Sequence, residues 1–215
     1  MIIGLSGGLR DIDSDTRYST TGVVQVTDGA GRPVSDATIQ MSLTPTTYRY
    51  GELVQVDVDE DGNADVWALF TTQECVAEDA NGNRILDAGE DTNNNGVLDP
   101  PDPALVDADP DNLPTVIGSQ ITTDASGAGF FTIVYPQSNA LYFDVNVTAR
   151  VEALGVEGVA EFSTILLMTA EDALNLDGRP PNRVSPYGFE YDPQPGQPAS
   201  DSGCVDVFAL RDGSL

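Results

Sequence analysis

Histidine and lysine are missing from this chain altogether: its nine basic residues are all Arg, set against 35 acidic ones, for a formal charge of −26 over 215 residues. Without His the commonest general base and the commonest transition-metal ligand are absent. Neither a Ser-His-Asp nor a Cys-His centre can be assembled. With only two cysteines, a zinc site of the Cys/His kind is excluded as well. Basic residues this sparse give no cationic patch for nucleic acid or for an anionic membrane surface. No run of about twenty apolar residues occurs, so no membrane insertion is expected. The start, MIIGLSGGLR, is too short and too glycine-rich for the apolar segment of a secretory signal. The chain reads as a mature form or as a segment excised from a longer one.

What is present points to a folded β protein. Hydrophobic residues make up 40% of the chain, which suits a packed core rather than disorder. Residues 18–28 (YSTTGVVQVTD) alternate and are rich in β-branched side chains, and the turn GAGRP follows. Residues 37–45 (ATIQMSLTP) alternate again. Residues 47–70 read as a hairpin with its turn near Asp61-Gly62-Asn63. Further strands are expected at 115–124, in FFTIVYP, and in two stretches joined at Gly155. Short strands separated by turn signals, with no long amphipathic helix, predict an antiparallel β-sandwich. TAEDALN (169–175) is the only helical candidate, capped by Thr169. From Asp177 onward Pro, Gly and Ser accumulate, as in an extended tail lying on the surface. Trp67 is expected to pack on the hairpin, and Tyr187, Phe189 and Tyr191 to pin the tail down.

The densest chemistry lies in EDANGNRILDAGEDTNNNGVLDP, residues 78–100. Counted from Asp79, oxygen side chains fall at positions 1 (Asp79), 3 (Asn81), 5 (Asn83), 9 (Asp87) and 12 (Glu90), with the Ile85 carbonyl at 7. A second copy begins at the next residue with Asp91, Asn93, Asn95, Gly96 at position 6, the Val97 carbonyl, Asp99 and Asp102. This is the ligand spacing of a calcium loop of the EF-hand type, written twice without a gap. Calcium is a hard cation that takes six to eight oxygens, and Asn at positions 3 and 5 lowers the charge of each loop and hence its affinity. Leu86 and Leu98, both at position 8, are placed to anchor the loops. Asn, Asp and Gly are also ordinary turn formers, but a turn does not require the same oxygens twice in twelve-residue register. A possible third site lies upstream, with Asp57, Asp59, Asp61 and Asp65 at positions 1, 3, 5 and 9. It has Gly62 at 6 but Ala68 at 12, and the hairpin alone explains Asp61-Gly62. An even cysteine count beside a calcium-like motif favours an oxidising, extracellular setting and a disulfide between Cys75 and Cys204. Two buried thiols are the competing reading.

Three stretches together, VVQVTDGAGRPVSDATIQMSLTP, TTDASGAGFFTIVYP and VNVTARVEALGVEGVAEFSTILL, resemble the bacterial immunoglobulin-like domains of invasin and intimin type. ECVAEDANGNRILDAGEDTNNNGVLDP is similar to an insertion found in a subset of those surface proteins. Arg84 departs from the pattern, standing at the sixth loop position where Gly usually makes the turn. The resemblance implies one immunoglobulin-like sandwich formed by residues 7–72 and 113–168, a calcium-loop insertion at 73–112 and a tail at 169–215. It further implies a secreted, calcium-dependent module at the cell surface, without catalysis, whose partners are neighbouring immunoglobulin-like domains or identical subunits. An alternative is a filament subunit joined by donor-strand exchange, with residues 1–9 or the tail as donor. Paired carboxylates also suggest a glycosidase, but acids this plentiful pair by chance, and no aromatic cleft surrounds Trp67. No catalytic residue is therefore expected, and a carbohydrate-binding module is the less favoured reading.

Overall fold

Strands form where the sequence alternates, and the computed structural model describes residues 1–12, 16–81, 83–92, 94–100, 105–107, 120–153, 156–189 and 204–206. In chain order the strands are β1 (Ile2–Leu5), β2 (Arg10–Ile12), β3 (Arg17–Gln25), β4 (Thr38–Val56), β5 (Val66–Val76) and β6 (Leu105–Asp107). Then follow β7 (Gln120–Thr122), β8 (Ala128–Pro136), β9 (Phe143–Ala153), β10 (Val156–Ile165), the short helix α1 (Ala170–Leu174) and β11 (Cys204–Asp206). One sheet has the order β1-β3-β8-β6, with β2 also on β3. The other has the order β10-β9-β4-β5-β11, with β7 also on β4. The two antiparallel sheets pack against each other as an all-β sandwich, the class expected from the strand pattern. No helix among the described residues is long and apolar enough to cross a membrane.

The chain divides into two compact units. The first comprises Met1–Thr44, Ala104–Pro136 and Val145–Thr164. Its core is built by alternation: Ile39, Met41 and Leu43 of β4, Val145, Val147, Ala149 and Val151 of β9, and Phe131, Ile133 and Tyr135 of β8 are all buried. Gly129 marks how closely the sheets meet there. A Cβ on it would stand 3.1 Å from the Ile121 side chain and 3.3 Å from that of Ile39. Gly22 plays the same part within a sheet, lying opposite Phe131 and leaving room for its ring. The turn before β8 is fixed by Asp124, whose Oδ1 accepts from the Ser126 hydroxyl (2.6 Å) and from the Ser126 and Ala128 N–H groups. Those donors, the Ser126 hydroxyl foremost, hold its carboxyl below the ordinary 3.8.

The second unit comprises Pro45–Pro103, Gln137–Asp144 and Ile165–Leu215. β4 was expected as two strands broken at Pro45, and instead it runs through as one strand of 19 residues. What changes at Pro45 is the face. Odd-numbered residues are buried up to that point, and Tyr48 and Tyr50 are buried after it. A bulge between Tyr50 and Gly51 shifts the register, so that Leu53 is buried. Gly51 is required there, because a Cβ would stand 2.1 Å from the Phe70 carbonyl oxygen.

β5 pairs antiparallel with β4, closing the expected hairpin. Its Trp67 is 8% exposed and donates from Nε1 to the Asn175 carbonyl at 3.0 Å, just past α1. Thr169 caps that helix, accepting from the Asp172 N–H at 3.2 Å. The tail then lies along β4: Leu53 N–H donates to Arg183, Ser185 N–H to Gly51, and Gly51 N–H to Gly188. Tyr187 packs among Tyr48, Tyr50 and Phe143 with ring centroids 4.6–5.9 Å apart, and Phe189 stacks on Phe70. Tyr191 lies outside the described residues. β11 pairs with β5 so that Cys204 stands opposite Cys75, and the two form a disulfide.

Candidate metal centre

A short polar side chain that accepts a hydrogen bond from the backbone a few residues ahead folds the chain around its own oxygens. Both copies of the twelve-residue pattern, in the second unit, do this in the same way. In the first loop Asp79 Oδ1 accepts from the Asn83 N–H (3.0 Å) and Oδ2 from the Arg84 N–H (2.9 Å). Asn81 Oδ1 also accepts from the Asn83 N–H (2.9 Å), and Asn83 Oδ1 from the Ile85 N–H (2.7 Å). In the second loop Asp91 accepts from the Asn95 and Gly96 N–H groups (3.0 and 3.1 Å), and Asn95 Oδ1 from the Val97 N–H (2.7 Å). Positions 1 and 5 thus converge by one rule in both copies.

Position 9 is drawn into each ring. Asp87 Oδ2 accepts from the side-chain amides of Asn81 and Asn83, each at 2.8 Å, and Asp99 Oδ2 from that of Asn95 at 2.6 Å. Ile85 and Val97, which offer carbonyls at position 7, have exposed side chains (63% and 58%). Leu86 and Leu98 are half-buried. Position 6 is left-handed in both loops, with φ 64° at Arg84 and 76° at Gly96. Arg84 therefore adopts the conformation that the pattern reserves for Gly. Asn93 and Asp102 lie outside the described residues.

The closing carboxylates hold a feature that the sequence reading missed. Glu90, at position 12 of the first loop, accepts from the N–H groups of positions 2 and 9, Ala80 (3.1 Å) and Asp87 (2.9 Å). In the second loop the N–H groups of positions 2 and 9, Thr92 (3.0 Å) and Asp99 (2.9 Å), donate to Glu78. Glu78 stands immediately before the first loop. It is 3% exposed, and Asp79 and Glu90 are buried as well. Its own N–H donates to the Asp99 carbonyl at 2.7 Å. One sequence signal was available: Glu78 precedes Asp79 just as Glu90 precedes Asp91.

The upstream candidate, at the tip of the β4–β5 hairpin, repeats the turn a third time. Asp57 accepts from the Asp61 and Gly62 N–H groups (3.2 and 2.7 Å), Asp59 from that of Asp61 (3.2 Å), and Asp61 from that of Asn63 (2.8 Å). Carboxylate oxygens of Asp57, Asp59 and Asp61 lie within 4.8 Å of one another, close enough to share a metal ion. Asp65 accepts from the Val58 N–H at 2.7 Å, taking the part of the Glu that this loop lacks.

No protein-family model and no curated protein sequence matches the chain. The chemistry of the centre therefore rests on its donors. They are carboxylate, amide and main-chain oxygens, the set that suits a hard divalent cation.

Outside the loops, Tyr187 of the tail is held among Tyr48, Tyr50 and Phe143. Its phenol is pushed far above the ordinary value, first by burial and then by the negative charge of Asp99, with Glu78 contributing. Its hydroxyl is shut off from solvent and has no hydrogen-bond partner among the described residues.

Proposed function

We propose that this chain is a secreted, calcium-stabilised β-sandwich of immunoglobulin-like type that serves as a structural or adhesive module of a bacterial cell-surface protein or fibre. The observation that carries the reading is the repeated turn: in both tandem loops the side chains at positions 1 and 5 accept backbone N–H groups in one pattern, and the carboxylate at position 9 accepts from the side-chain amide at position 5. Acids so crowded repel one another, and a bound cation removes that repulsion. Because the ion binds the folded loops and not the unfolded chain, it stabilises the fold by mass action. The Cys75–Cys204 disulfide fits the same extracellular setting. The Asp57, Asp59 and Asp61 group offers a third ion a place.

Calorimetric titration with calcium, paired with melting curves with and without chelator, tests the proposal. Uptake of two or more ions with a rise in Tm of several degrees is expected. No heat and no shift would leave the repeat as a run of turns and sink the reading. A second reading, a filament subunit, is favoured by one observation: the tail backbone at Arg183, Ser185 and Gly188 bonds to β4 as a separate strand-like piece. Such a piece can be supplied by a neighbouring copy. Elongated particles in electron micrographs at high calcium would support it, and a monodisperse monomer would exclude it.

A further inference from the structure

We propose that Asn95 and Gly96, at positions 5 and 6 of the second loop, form a self-modifying site at which the Asn95 amide is lost as ammonia, leaving aspartate or isoaspartate at position 95. The chemistry is closure of a succinimide ring, in which a main-chain nitrogen attacks the side-chain carbonyl carbon of the residue before it. Glycine in second place favours closure, because no Cβ crowds the approach of the backbone. Asn95 and Gly96 are both exposed to water. The space where a Gly96 Cβ would stand is open, with nothing within 4 Å.

The loop supplies a partner to each reacting atom. The Gly96 N–H, whose nitrogen is the nucleophile, donates to Asp91 Oδ2 at 3.1 Å. Asn95 Oδ1, where negative charge develops, accepts from the Val97 N–H at 2.7 Å. The departing Nδ2 donates to Asp99 Oδ2 at 2.6 Å. In the reaction the Gly96 nitrogen bonds to Asn95 Cγ while Asp91 takes its proton. The Cγ–Nδ2 bond breaks, and the proton leaves with Nδ2 as ammonia. Water then opens the ring on either side of the Gly96 nitrogen. Cleavage of the new bond to Cγ gives aspartate, and cleavage of the original peptide bond gives isoaspartate. One water is consumed and one ammonia is released.

The first loop is a built-in comparison. Asn83 is exposed as well. Its Oδ1 accepts from the Ile85 N–H, its Nδ2 donates to Asp87, and the next N–H, that of Arg84, donates to Asp79. These three bonds match in the two loops, and the residue that follows the asparagine differs. The Arg84 Cβ makes Asn83 the slow partner and Asn95 the fast one. Either product loosens the second loop. Aspartate sets a carboxylate against Asp99 where an amide donated, and isoaspartate lengthens the main chain by one methylene just before the N–H that Asp91 holds. The second loop therefore ages while the first keeps its form.

The test is incubation of the full, disulfide-bonded chain in mildly alkaline buffer with chelator, so that the outcome does not depend on whether the loops take calcium. Peptide mass spectrometry with fragmentation assigns each mass gain to a single asparagine. Asn95 is expected to convert faster than Asn83 by about tenfold, the ratio given by a barrier difference near the cost of one Cβ. G96A should bring Asn95 down to the pace of Asn83, and D91N should slow it too. Equal rates at Asn95 and Asn83, or a G96A chain that converts as fast as wild type, overturns the proposal. A D91N rate equal to wild type removes Asp91 as the base. If circular dichroism shows that either variant has not folded, the comparison of Asn95 with Asn83 in the wild-type chain decides alone.

Discussion

At position 6 of the two loops the backbone is left-handed, on Arg84 with φ 64° and on Gly96 with φ 76°. An L side chain in that region carries a penalty of about 1–2 kcal/mol from its Cβ. A Cβ on Gly96 would meet nothing within 4 Å, so backbone conformation is the whole effect there. Gly127, φ 77°, differs, since a Cβ would come within 2.5 Å of the Val26 carbonyl oxygen. Gly96→Ala is therefore expected to lower unfolding free energy by about 1 kcal/mol. Gly127→Ala should lower it by about 3 kcal/mol or more, because overpacking adds to strain. Urea denaturation at fixed calcium distinguishes them, and equal losses would contradict the account. Residue-scale legibility follows the same line. Asp61-Gly62-Asn63 and Thr169 act locally, so their turn and cap were readable in sequence. Glu78 acts on Thr92 and Asp99 across the length of a loop, and spacing counted forward from Asp79 passes over it.

Among the elements, those whose partners are near in sequence were the legible ones. The β4–β5 hairpin and α1 follow from alternation and capping over adjacent residues. Pro45 misled because it is a strand breaker by habit, whereas here it marks the change of buried face within β4. The course of the tail was open, since Pro, Gly and Ser describe an extended segment and not the strand it joins. Its fastening is legible only in three dimensions: Asn182 donates to the Ala140 carbonyl (2.6 Å), and the Tyr142 hydroxyl donates back to Asn182 (2.9 Å). The disulfide fixes the far end through β11. Reduction is expected to lower stability by about 2–4 kcal/mol. Hydrogen exchange should speed up first at Cys204–Asp206 and on the facing residues of β5. Uniform acceleration through every strand would show that the bridge supports the whole fold and not that edge.

Over the whole molecule the dominant quantity is charge. At −26 without a single Lys or His, the folded chain repels itself. Monovalent salt shortens the range of that repulsion to about 8 Å at physiological strength. In chelator, Tm is therefore expected to climb as sodium chloride is raised, and in saturating calcium the climb should be much smaller. Parallel slopes would mean that the loops contribute little to the repulsion. The disulfide adds a mechanical property. Cys75 and Cys204 are 129 residues apart, and the span between them contains both tandem loops, β6 to β10 and the helix. A pull on the two ends travels through residues 1–75, crosses the sulfur–sulfur bond and leaves by 204–215. The tandem loops lie within the covalently bypassed span, so stretching the oxidised chain puts no tension on them through the backbone, and reduction brings them under load.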